Sequence, residues 1–323
     1  MLNSIRKCPK LSDFEYVVKH SSNVKINTTK LHEFTNNLEI SDKIINKHIF
    51  IDLKKKVEEK ILITFLILCE SINFCYWNSD EWIYKYKNKN YSGSMALFMA
   101  MKKKIEDNVD FFHIDNLISI KYKDFKSIFP FILDENRALL PLRYKIFVEN
   151  VNIIYDKRHV FFDNILKCSC DLDLLKYIIS IFPNFSDYSY YKLKKIMFHK
   201  RANLLIKDMY ELNSNIKNNI KSLKNLYACA DYRLPQILSS YGVITYSDKL
   251  LSITDNDIII NHNSKLEIEI RSSTILAVEL IKKELQKKNI YIDSIYIDNV
   301  LWNYARSKKQ SSSKFHKTIS QYY

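Results

Sequence analysis

Residues 61–69 form the longest apolar run of the chain, and within 57–74 they read as a helix that is apolar nearly all the way round. A surface helix needs only one apolar stripe, so a helix of this kind must be buried on most of its sides. The run is far shorter than the roughly 20 residues that cross a bilayer. Burial therefore has to come from other parts of the same chain, and most of these also read as helices. Leu31, Phe34 and Leu38 recur at helical spacing, 94–105 repeats the pattern, and 116–191 gives successive helical runs punctuated at Pro130, Pro141 and Pro183. Only 82–93 alternates apolar and charged residues about an Asn-Lys-Asn turn at 88–90, which predicts a small hairpin. The expectation is a mainly α protein, all helical apart from at most that hairpin.

Of the 323 residues, 47% are apolar, ample for a large core, and five prolines with no Gly- or Ser-rich interior linker favour a single body over 1–306. Residues 307–323, basic and serine-rich, read as a flexible tail. A net charge of +14 raises the question of nucleic acid or an anionic membrane. The lysines are spread along the whole chain, however, which favours dispersed charge over a dedicated surface. The six cysteines have neither zinc-site spacing nor the density of a disulfide scaffold, and Cys168 and Cys170 stand too close for a metal clip. Arg6, Lys7 and Lys10 come without an apolar run, so no secretory signal is expected and the compartment is read as cytoplasmic, with reduced thiols.

Chemistry concentrates in residues 228–238. Asp231 lies among small and aromatic residues, four positions before Pro235, a residue that suits a first helical turn, and Gly242 closes the short helix expected over 234–241. An Asp before a helix commonly satisfies free backbone N–H groups. A cap would be expected next to Pro235 rather than four residues earlier, which leaves room for a site. Upstream, Lys194, Lys195, His199, Lys200 and Arg201 form a basic face at helical spacing, either a solvated face or a clamp for phosphate. Glu279 sits in an apolar run and needs a basic partner if buried, for which Arg233 or Arg271 would serve. Asp298 is a carboxylate on a mostly apolar helix over 292–305. After 242, residues 250–263 read as an acidic loop, and a helix is expected from Ile275, capped by Ser272, Ser273 or Thr274.

The run Ala230-Asp231-Tyr232-Arg233-Leu234-Pro235-Gln236, with Gly242 and Tyr246-Ser247-Asp248, closely resembles the signature of the queuosine salvage family, the queuosine 5′-phosphate N-glycosidases. Asn73 to Trp77, Tyr91-Ser92-Gly93, Lys200-Arg201-Ala202, Glu267 to Arg271 and Asp298 to Ala305 extend the likeness, and both glycines of the chain, Gly93 and Gly242, fall where the family has one. The resemblance implies an all-helical fold similar to helical DNA glycosylases. It implies hydrolysis of the bond between ribose and a 7-deazaguanine base, releasing queuine for tRNA modification, with no metal or organic cofactor.

It also implies site residues. Asp231 would steady positive charge on the sugar as the catalytic group, while Asp298 would contact the base. Asn299 stands where the family has Tyr, and Asn303 replaces an acidic residue, keeping an acceptor but losing the charge. Cys229 takes the place of a Phe, so stacking would have to come from Tyr232 or Phe74. His48 matches a base-contacting His once a three-residue gap is allowed, and Lys194, Lys200 and Arg201 match basic positions that would hold phosphate. The partner is then a small nucleotide, with neither a stable nucleic-acid partner nor a membrane. The rival expectation, resting on charge alone, is a non-catalytic basic helical module that binds nucleic acid, and strong salt dependence of binding would mark it.

Overall fold

The computed structural model describes residues 8–40, 48–307 and 313–323, which cover the expected elements except the stretch 41–47 of the first helical region and 308–312 of the tail. Among the described residues there are fifteen α-helices and six short strands. In chain order the helices are α1 (Leu11–His20), α2 (Thr28–Asn36), α3 (Glu59–Ser71), α4 (Ser94–Asp107), α5 (Ile114–Leu117), α6 (Tyr122–Lys126), α7 (Leu140–Lys157), α8 (Phe161–Leu166), α9 (Asp171–Ile181), α10 (Lys200–Leu212), α11 (Ser214–Asn219), α12 (Arg233–Ser240), α13 (Asp248–Asp255), α14 (Lys265–Lys287) and α15 (Ser294–Ser307). None of the described helices is long and apolar enough to cross a membrane.

The central helix is α3. Every side chain from Ile61 to Ser71 is buried, because α7 packs on one side of it and α10 on another. Its C-terminal turn is held by two arginines. A helix end leaves several carbonyls without intrahelical donors, and a guanidinium offers five N–H groups. Arg143 of α7, fully buried, donates to the carbonyls of Ile72 (2.9 Å), Phe74 (2.5 Å), Cys75 (3.2 Å) and Ala138 (3.2 Å). Its plane lies over the Phe74 ring at 4.3 Å. Arg201 of α10 donates to the carbonyls of Ser71 and Asn184 and lies over Phe74 and Phe185. Together they fix how the chain leaves α3 and therefore where Asn73, Tyr76 and Trp77 point.

The strands exceed expectation. The expected hairpin is present as β2 (Ile83–Tyr86) and β3 (Lys89–Ser92), but it turns on Lys87 and Asn88, with φ of 47° and 62°, rather than on 88–90, so Lys89 and Asn90 belong to β3. Two more antiparallel pairs were not expected, β1 (Val24–Ile26) with β6 (Ile244–Tyr246), and β4 (Tyr188–Tyr191) with β5 (Lys194–Met197). The second corrects the basic helical face read over 192–208. Its turn is Lys192-Leu193, both at positive φ, and it lacks the Asn-Gly signature by which such turns are recognised. Only from Lys200 onward is that stretch helical.

Further corrections concern boundaries. Residues 248–255 are helical rather than loop, capped by Ser247, whose hydroxyl accepts from the Leu250 N–H at 3.3 Å. Helix α14 starts at Lys265, not Ile275, capped by Ser264; its first turns are charged but buried because each charge finds a partner. Gly242 closes α12 as expected, at φ 68°, with the Val243 N–H reaching the Leu238 carbonyl at 2.9 Å. The largest correction is the tail. Residues 313–323 are packed: Tyr323 is 1% exposed, its hydroxyl donates to Glu267 Oε1 at 2.8 Å, and its carbonyl accepts the Cys75 N–H at 3.0 Å. Composition reads this segment as solvated, but His316, Thr318 and Tyr323 supply buried surface that composition averages away.

Candidate active site

Where the end of α3, the start of α10, the 228–233 turn, α15 and the returning segment 313–323 meet, they enclose a cavity of about 1000 Å³. Of the expected site residues, His48, Lys200, Cys229, Asp231, Asp298, Asn299 and Asn303 all line it. Lys194 and Arg201 do not. Lys194 lies on β5 and pairs with Asp13 at 2.9 Å, while Arg201 is spent on the α3 terminus. Neither is free to hold phosphate.

Asp231 and Asp298 are joined through one residue. The Cys229 N–H donates to Asp298 Oδ2, and the Cys229 carbonyl accepts the Asp231 N–H at 2.8 Å. The adjoining peptide is held too, since Arg271 Nε donates to the Ala230 carbonyl at 3.1 Å. Arg271 is itself clamped by Asp187 through two bonds of 3.0 and 2.5 Å. Burial alone would raise the Asp187 pKa, but the guanidinium holds this carboxyl below the usual carboxylate range. Arg271 is thereby unavailable to Glu279, whose Oε1 instead accepts from the Ser294 hydroxyl at the start of α15.

Asp231 caps a helix and borders the cavity as well. Its Oδ1 accepts the N–H groups of Arg233 (2.7 Å) and Leu234 (3.4 Å), a capping role at the start of α12. The cap stands well before Pro235 because the helix begins two residues earlier than the proline. The second oxygen, Oδ2, takes no hydrogen bond among the described residues, and Asp231 borders the cavity. Capping fixes the carboxylate through Oδ1 alone. Asp298 is buried at 6% exposure, and burial, followed by the neighbouring charge of Asp231, pushes its pKa up to about 7. The Cys229 N–H and Lys200 pull the other way. The Cys229 thiol is driven well above its ordinary range, chiefly by burial, so it is no nucleophile; it contributes its N–H.

A second acidic pair lines the wall. Glu70, at the end of α3, is hydrogen-bonded to Asp208 of α10. Burial and the Asp208 charge raise the Glu70 pKa, while Asp208, despite burial, is held low by His48 and Lys207. The proton of the pair therefore sits on Glu70. The Phe50 N–H donates to His48 Nδ1 at 3.1 Å, and His48 Nε2 lies 3.0 Å from Asp208 Oδ1. His48 thus stands in the cavity wall as a partner of Asp208. Aromatic lining comes from Trp77, Tyr232, Trp302 and Phe315; Phe74 borders the cavity but is fully buried beneath Arg143. On α15 the Asn303 amide donates to the Asn299 carbonyl at 2.9 Å.

Sequence reasoning missed Glu70, Asp208, Phe315 and Tyr323. The rule that flagged Asp298, a carboxylate on an apolar helix, would have found Glu70 at the end of 61–69. Asp208 is hidden in a basic helix, and the last two are brought in by a segment read as flexible. Among the described residues no cluster of His, Cys, Asp and Glu is arranged to hold a metal ion.

The chain is thus a mainly helical protein with a partly charged, aromatic-walled cavity in which a fixed carboxylate lies near a second, buried one. The chain belongs to the queuosine salvage protein family, whose profile matches residues 53–323. It is 26% identical over 265 residues to the queuosine 5′-phosphate N-glycosylase/hydrolase of Sphaerobacter thermophilus, covering 81% of each chain. To the protein of the same name from Bos taurus it is 26% identical over 291 residues, covering 84% of each chain. That of Nematostella vectensis is 28% identical over 236 residues, 71% of this chain and 68% of its own.

Proposed function

We propose that this protein hydrolyses the N-glycosidic bond of queuosine 5′-phosphate, releasing queuine and ribose 5-phosphate so that the base returns to tRNA modification in the cytoplasm. The observation that carries the reading is the pair of cavity carboxylates linked by the backbone of Cys229, one with a free oxygen and one protonatable near neutral pH. As the bond from C1′ to the base nitrogen breaks, its electron pair leaves with the base and positive charge grows on the sugar. Asp231 Oδ2 meets that charge without reorganising, because Oδ1 is already tied to α12. Water then supplies the hydroxyl that ends on C1′, and the proton it gives up replaces the one the departing base takes.

The departing base must take up a proton, and a deazapurine has carbon in place of N7, so the ring is served through its other edge. Asp298 is the group for it. Near neutral pH it can donate as the acid or accept as the carboxylate from ring N–H and amino groups. Lys200 stands by as counter-charge to Asp298 and Glu70. Asn299 and Asn303 face the base substituent with neutral amides, where the family has a Tyr and an acidic residue respectively, and Tyr232 and Phe315 supply the stacking surface. A catalytic Asp just ahead of a helix in a mainly α body suits a likeness to helical DNA glycosylases. The substrate is nevertheless a free nucleotide, and no stable nucleic-acid partner is proposed.

The test is to incubate the protein with queuosine 5′-phosphate and follow queuine by liquid chromatography and mass spectrometry, alongside Asp231→Asn checked for folding by circular dichroism. Release by the unsubstituted protein, lost in a folded variant, is expected. No release, together with salt-dependent oligonucleotide binding, would overturn the reading in favour of the basic module.

A further inference from the structure

With Lys194 and Arg201 occupied elsewhere, the anionic end of a nucleotide needs another cation, and the cavity contains several. Most are already matched. Lys207 lies 3.2 Å from Glu211 and 3.8 Å from Asp208. Lys317 lies 3.0 Å from Asp257. Lys200 is buried beside Asp298, Glu70 and Cys229, at the end of the cavity assigned to the base. Lys89, on the exposed β3, has its ammonium by the Tyr91 ring. That leaves Arg233: among the described residues no carboxylate lies within 4.0 Å of its guanidinium, which spends one donor, Nη1 to Gln236 Oε1 at 3.0 Å.

The guanidinium lies over two rings, 5.3 Å from the Tyr232 centroid and 5.2 Å from that of Phe315. Those rings pack on each other at 5.0 Å, and Gln236 ties the Phe315 segment down by donating to the Ser313 carbonyl at 3.0 Å. The two rings and the Gln236 bond restrain the donor fork, so less freedom is lost when an oxyanion binds. The position also fits. Arg233 follows Asp231 by two residues, and the Asp231 carboxylate bonds the Arg233 N–H, which makes the spacing between them rigid. A ribose held with C1′ at Asp231 and its base toward Asp298 carries C5′ and its phosphate away from the base. Arg233 is partly exposed and lines the same cavity, next to Asp231.

We infer that Arg233, stacked on Tyr232 and Phe315, is the specificity residue that anchors the 5′-phosphate of the substrate. The inference rests on the nucleotide-hydrolase reading, and it gives segment 313–323 a share in substrate choice through Phe315. A fork of N–H groups on a phosphate makes charge-assisted bonds that a lysine reproduces only as a point charge.

The test compares kcat/KM for queuosine 5′-phosphate and for the unphosphorylated nucleoside in the unsubstituted protein, Arg233→Met and Arg233→Lys. In Arg233→Met the preference for nucleotide over nucleoside should fall roughly 10- to 100-fold, mainly through KM, and Arg233→Lys should recover part of it. Equal losses on both substrates would show a merely structural arginine and overturn the inference, as would an unchanged preference. Calorimetric titration with ribose 5-phosphate is independent of turnover: binding should weaken in Arg233→Met, and equal binding refutes the anchor. If the unsubstituted protein cleaves neither substrate, the hydrolase reading fails, and the titration still decides whether Arg233 holds phosphate.

Discussion

Replacing Asp298 with Asn should cost activity and raise stability, by an amount that grows with pH. The structure gives the size. Burial first, and the charge of Asp231 second, raise this carboxyl from an ordinary 3.8 to about 7 in the folded protein. Between those values the folded state binds a proton that the unfolded chain does not, so stability falls as pH rises. The favourable contribution is complete below about pH 4 and lost once pH passes the folded value. A separation of about three pKa units at about 1.4 kcal/mol each sets a ceiling of roughly 4 kcal/mol. An Asn carbonyl can still accept the Cys229 N–H, so the variant keeps the geometry and sheds the buried charge. Urea titrations at pH 5, 6, 7 and 8 on both proteins should show the variant gaining steadily, by a few kcal/mol at pH 8. A difference that stays flat across this range would mean that Asp298 is ionised throughout, and the acid role assigned to it would go.

Asp231→Asn keeps the Oδ1 cap on α12, whereas Asp231→Ala loses it. Both should lose at least roughly 10²-fold in kcat, but only the alanine variant should also lose about 1 kcal/mol of stability by urea titration. Arg143→Met removes the donors to the carbonyls of Ile72, Phe74, Cys75 and Ala138 and should destabilise by roughly 3–5 kcal/mol, read from the same titrations. Tyr323→Phe takes one of several bonds from buried Glu267, which His262 at 2.9 Å also serves, and should cost about 1 kcal/mol. Deleting residues 313–323 removes Phe315 and Tyr323 from the cavity wall and should abolish product binding measured by fluorescence.

Legibility varied with the range of the interaction. The central helix, the 83–92 hairpin and the Gly242 stop were readable because each rests on neighbours along the chain: an apolar run, an alternation and a residue tolerant of positive φ. The 188–197 hairpin was not, because its turn uses Lys and Leu at positive φ, types that carry no turn signal. The early start of α14 was hidden for a related reason. Glu267 and Arg271 look like surface residues until Asp187, His262 and Tyr323 arrive from distant parts of the chain to bury them.

The Asp231 motif and the Asp298 helix are local patterns, and a local pattern suffices to nominate an acid and the family in which it acts. Which cations meet the ligand is not local. Lys194, Arg201 and Arg233 look alike as letters, yet one pairs with Asp13, one sits inside the core on the carbonyls of Ser71 and Asn184, and one stands over two rings without a carboxylate partner among the described residues. A charge acquires its role from what desolvates and faces it. Asp13, Ser71 and Phe315 lie far along the chain from the cations they meet, and only folding brings them together.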